Sequence, residues 1–240
     1  MRVSFRPNVR RSYRAVWPDI GWSLIWVTMW NVQGQCLMFL VAAVVGPAAY
    51  APIAAGLVLF GPLRTAVGAL INVVRPAFAS GLAEQQNAIV TRLLFASFAL
   101  TVLCCLAFGA LIWLVWPFLS THIYGEKFGA SMPLIVMLAW VNALAYVSYH
   151  PPLALVQAGR AFKAVAISTI IGGTLGIALV ALVLSLGSVA WSLAGAAAGE
   201  AASLVYIRTA AVRVPRALPQ QPDDAPKLRR ADHGIPEWHL

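Results

Sequence analysis

Apolar runs of bilayer-crossing length alternate with short polar connections through most of the chain. They predict six helical spans, at about 21–45, 52–74, 93–116, 132–155, 165–186 and 189–212. A hydrocarbon core about 30 Å thick needs about 20 residues of helix, and each run meets that length. The expected fold is an all-α polytopic bundle over 21–212. A basic juxtamembrane segment at 1–20 precedes it, and a Pro-, Gln-, Asp- and Arg-rich tail at 213–240, expected to be disordered, follows.

Polar residues inside these runs carry the information. In the second span Arg64 falls roughly 18 Å along the helix from Pro52, near mid-membrane. Arg64, Gly68, Asn72 and Arg75 stand at i, i+4, i+8 and i+11 and so share one helix face. The Gly61-Pro62 pair just before them invites a break in the helix. A polar stripe beside a weakened backbone at membrane depth lines a wet cavity, and the alternative is an arginine that snorkels or pairs with a buried acid.

Other spans carry smaller signals. In the first, Trp22, Trp26 and Trp30 recur every four residues, and Asn31 and Gln35 fall on roughly the opposite side. This predicts tryptophans facing lipid or its interface and amides facing inward, for a cavity or for interhelical hydrogen bonds; Gln33, among the tryptophans, breaks the pattern. In the fourth span Asn142, Tyr146, Tyr149 and His150 form a second polar face, with His150 read as a helix-end residue before Pro151-Pro152. The fifth and sixth spans carry Gly172/Gly176 and Gly195/Gly199, spacings that allow close helix approach. Glu200 is the one acid within a span, at a depth like that of Arg64, so the two are expected to meet as an ion pair.

Composition agrees with the pattern: 60% of residues are hydrophobic and 10% charged, and the mean hydropathy is +0.78. The net charge of +9 does not point to nucleic acid, because the basic residues cluster at the ends of apolar runs. Fifteen of the 17 fall on one predicted side, in 1–14, at Arg75 and Arg92, at Arg160 and Lys163, and from Arg208 onward. That bias places both termini in the cytoplasm, with the connections near Ala49, Glu126 and Gly187 periplasmic.

No catalytic residue, metal site or cofactor is expected. The cysteines Cys36, Cys104 and Cys105 lie inside spans, the four histidines are scattered, and no carboxylate pair is present to serve as a base or metal ligand.

The segment from Ile123 to Ile170, with its Tyr-Gly-Glu loop, its Gln-Ala-Gly-Arg turn and a later Gly-rich run ending in GEAASLVYI, resembles the C-terminal half of bacterial polysaccharide flippases of the O-antigen translocase type. These belong to the multidrug/oligosaccharidyl-lipid/polysaccharide exporter superfamily. Gly46-Pro47 before the Pro62-containing span is similar to that family's seventh and eighth helices. The likeness covers about 17–208. Such proteins have roughly twelve spans in two halves, and this chain matches one.

The resemblance implies a non-enzymatic inner-membrane transporter component that moves an undecaprenyl-pyrophosphate-linked oligosaccharide for surface polysaccharide synthesis, together with a second six-helix unit. Arg64 then recognises the pyrophosphate, and Asn31, Gln35, Asn72, Asn142, Tyr146 and Glu200 complete the substrate site. The alternatives are a multidrug exporter-like half-transporter, an inactive structural subunit, or an enzyme acting on the same lipid.

Overall fold

The computed structural model describes residues 7–124 and 130–217. Seven α-helices lie in these residues: α1 Pro7–Val44, α2 Pro47–Leu59, α3 Gly61–Ala83, α4 Asn87–Phe118, α5 Met132–Ala158, α6 Phe162–Ser185 and α7 Ser192–Ala217. A π-helical turn, Leu119–Tyr124, prolongs α4. Five helices are long and apolar enough to cross a membrane: α1 from Trp17 onward, α3, α4 with its π turn, α5 and α6. They define a helical membrane bundle.

The expected spans are altered in two places. The run at 52–74 is divided at Phe60 (φ −95°, ψ 4°), which ends the 13-residue α2 and caps α3. The cause is Pro62, which has no N–H to donate and whose ring excludes ordinary helical stacking on the preceding turn. The run at 189–212 belongs to α7, which spans 26 residues but is interrupted by Glu200, Arg208 and Arg213 and is less apolar than the other five.

Connections are shorter than the polar composition suggested. Helix α1 begins at Pro7, inside the expected juxtamembrane segment, and α7 runs through Arg213 to Ala217, inside the expected tail. The expected turn at 46–51 shrinks to Val45 and Gly46, because Pro47 is a favourable first helical residue. Arg75 and Arg92 lie within α3 and α4, and only 84–86 separate those helices. Glu126, Lys127 and most of the tail lie outside the described residues.

Three of these turns share one hydrogen-bond pattern. The N–H of Gln86 bonds Gly81 O at 2.9 Å, that of Ala161 bonds Val156 O at 3.0 Å, and that of Ser188 bonds Val183 O at 3.3 Å. Each closes a helix C-terminus through a left-handed residue, respectively Gln85 (φ 56°), Arg160 (φ 58°) and Gly187 (φ 79°). Glycine is available next door to Arg160, but a Cβ on Gly159 would collide with Val214 of α7. The smallest residue is therefore spent on helix packing, and Arg160 takes the strained conformation.

Helix α5 is the centre of the bundle. It is buried along most of its length and packs on α2, α3, α4 and α7. The outer helices leave apolar faces open, with Leu114 78%, Val73 74% and Phe95 73% exposed, as a lipid environment allows. The closest seam joins α6 and α7. There a Cβ on Gly199 would come within 2.7 Å of Gly176 Cα, and one on Gly172 would collide with Ser203 Oγ. Ser203 Oγ donates to Ser168 O at 3.0 Å across the same seam.

Candidate functional site

The break at Phe60 sets the site. It starts a new helix whose first turns carry Arg64 toward α5, where Nη2 donates to Asn142 Oδ1 at 2.6 Å. The guanidinium lies over the Tyr146 ring, 4.6 Å from its centroid. Arg64 is half-buried, and its Nε is buried without a hydrogen-bond partner. The charge is thus held by one amide oxygen and one ring face, with donors left over.

Below Arg64 on the same face, Gly68, Asn72 and Arg75 line a groove of about 270 Å³. Its floor is Tyr146, His150 and Leu153 of α5, and its opposite wall is Trp26, Val27 and Trp30 of α1. Gly68 contributes depth, since nothing lies within 4 Å of where its Cβ would stand. Asn72 and Arg75 are exposed to the groove's open side.

The floor is held by a cluster of rings. Trp30 stacks on Tyr149 (centroids 6.0 Å, 15°) and meets Tyr146 at 5.8 Å and His150 at 5.9 Å; Tyr146 and His150 are 4.1 Å apart. Tyr149 O–H reaches Ser168 Oγ at 3.2 Å, which ties the cluster to α6. His150 does not end its helix, as α5 continues through Pro151 and Pro152 to Ala158. His150 Nδ1 lies 2.8 Å from Tyr146 O, one turn back, which fixes the ring edge-on to Trp30.

The expected orientation of α1 is reversed. Trp26 and Trp30 pack against the core, whereas Asn31 and Gln35 are exposed on the other side, with Asn31 Nδ2 turned to its own backbone at Val27 O (2.8 Å). Neither amide is at the groove. Gln33, at i+7 from Trp26, shares the inward face, and its Nε2 donates to Glu200 Oε1 at 3.4 Å.

The expected Arg64–Glu200 ion pair is not formed. Among the described residues the one ion pair is Arg160–Asp19, at 2.7 Å. Glu200 is half-buried against Gln33, and it and Arg64 feel each other's charge without contact. Similar depth in a bundle does not set the direction a side chain faces, and α5 stands between them with Asn142 and Tyr146 as Arg64's neighbours.

Of the expected site residues, Arg64, Asn142, Tyr146 and Asn72 are together, Glu200 is a neighbour, and Asn31 and Gln35 are elsewhere. Trp26, Trp30, His150, Arg75 and Gln33 complete the surroundings. The signal for Gln33 and Trp30 was present in their shared helical face. Set against known protein families, curated proteins and solved structures, the chain matches none.

Proposed function

We propose that this chain is one six-span unit of a transporter that moves a polyprenyl-pyrophosphate-linked oligosaccharide across the bacterial inner membrane, with no enzymatic step. The observation that carries the reading is Arg64: a planar, permanently charged group just past the break in a membrane helix, with an unpartnered buried Nε, one turn from Gly68 and over the Tyr146 ring, both of which line a polar and aromatic groove. A pyrophosphate is a dianion that accepts paired N–H donors, and burying the pair offsets the cost of each charge in low dielectric. Asn72 and the Trp26, Trp30 and Tyr146 rings suit sugar hydroxyls and sugar faces.

In this reading α2 and α3 form one broken span and α7 the sixth. An even count puts both termini on one side, and the basic bias makes that side cytoplasmic. The groove opens on the flank of α1 and α3 and is too small for a whole oligosaccharide, so a second six-helix unit supplies the facing wall.

The test is reconstitution into vesicles loaded on one leaflet with a fluorescent polyprenyl-pyrophosphate sugar. Movement of intact lipid to the other leaflet supports the reading. Covalent change of the lipid makes the protein an enzyme instead, and neither change, alone or with its partner unit, leaves a structural subunit.

A further inference from the structure

A second groove, of about 230 Å³, lies on the outside of the bundle between α4 and α7. Its lining is apolar, Leu94, Phe95 and Phe98 on one side and Ala211 and Val212 on the other, with Pro152 at its base. The exception is Arg208, whose guanidinium lies over the Phe98 ring at 5.3 Å from the centroid. Thr91 also lines it, but its hydroxyl donates to Asn87 O at 2.8 Å and is not free to donate outward.

Among the described residues Arg208 has no carboxylate at ion-pair distance. Of the three carboxylates among the described residues, Asp19 is paired with Arg160, Glu84 accepts from Gln86, and Glu200 accepts from Gln33. Arg208 is exposed, yet it sits on a helix of a membrane bundle and borders apolar surface that faces lipid. Apart from Pro152, the lining lies in the first turns of α4 and the last turns of α7, where Arg92 and Arg213 also stand and where Val214 meets Gly159 beside Arg160. A cation beside an apolar groove on a membrane bundle matches a molecule in which an anionic phosphodiester is joined to acyl chains.

We propose that this groove binds an anionic phospholipid, with the phosphodiester on Arg208 and an acyl chain along Leu94, Phe95, Phe98 and Val212. The planar guanidinium is held on Phe98 with its N–H edge open, so one face is desolvated by the ring while the edge meets the phosphate. A bound lipid bridges α4 and α7, which otherwise join chiefly through α5.

The experiment uses the full chain in phosphatidylcholine membranes with spin-labelled phosphatidylglycerol or spin-labelled phosphatidylcholine as probe, reading the motionally restricted fraction. Wild type should prefer phosphatidylglycerol, and Arg208→Gln should lower that preference about fivefold, the weight of one basic residue near the surface. Arg160→Gln, which removes an equal charge at the same end from a paired position, should change it less. Equal preference in wild type and Arg208→Gln, or an equal fall in Arg160→Gln, overturns the proposal. A photoactivatable phosphatidylglycerol on wild type gives a reading that does not depend on a variant folding: it should label 91–98 and 208–212, and labelling confined to other segments overturns the site.

Discussion

The Arg64 guanidinium and the Asn142 amide are bonded at 2.6 Å between α3 and α5, and this bond, rather than an ion pair with Glu200, fixes the buried charge. An amide can hold an arginine without neutralising it, so the positive charge remains available to a ligand. Replacing Asn142 with Leu should lower stability by about 1.5–3 kcal/mol, the range for a hydrogen bond to a charged group. Unfolding in mixed micelles measures this, and an unchanged midpoint would show that the bond carries no weight.

Double mutants separate the two possible partners. Arg64→Ala and Asn142→Ala should be non-additive by about 0.5–3 kcal/mol, as residues in direct contact are. Arg64→Ala and Glu200→Ala should add to within about 0.5 kcal/mol, because no shared bond is removed. Stability regained in the Arg64/Glu200 double mutant would mean that the two charges pair after all.

The seam between α6 and α7 is expected to be intolerant of added volume. Gly199→Ala places a methyl group against Gly176 and should cost about 1–3 kcal/mol as overpacking, whereas Gly34→Ala on α1, with nothing within 4 Å, should be neutral or mildly stabilising. Thermal unfolding of the two variants side by side checks it; equal behaviour would rule out close packing at Gly199.

On α1, Trp30→Ala should cost about 3–5 kcal/mol by opening the ring cluster on α5. Asn31→Leu and Gln35→Leu on the exposed face should be within about 0.5 kcal/mol of wild type. Loss of folding in either Leu variant would return α1 to the orientation its tryptophan spacing suggested.

That orientation shows where local pattern ends. Apolar length and the proline break revealed the helices, and the i, i+4, i+8, i+11 spacing put Gly68, Asn72 and Arg75 on a common wall. Those features depend on neighbours in sequence. Which side of α1 faces inward depends on contacts with α5 and α6, and tryptophan is equally suited to a lipid interface and to a ring stack. Gln33 on the tryptophan face was the one local sign. Similarly, Pro151-Pro152 remove two N–H donors and read as a helix end, but burial of α5 on several sides holds the helix through them. The Arg64–Glu200 pairing failed because depth along a span is legible and azimuth between helices is not.

The central claim is that Arg64 recognises a pyrophosphate, and binding of a polyprenyl-pyrophosphate-linked sugar to the purified chain, alone and with the proposed second unit, measures it most directly. Wild type should bind it in preference to the matching neutral polyprenol. Arg64→Lys should bind at least about tenfold more weakly, because a point charge replaces a two-pronged donor. Equal affinity of wild type and Arg64→Lys, with both folded, would contradict the account and leave Arg64 as a tether between α3 and α5.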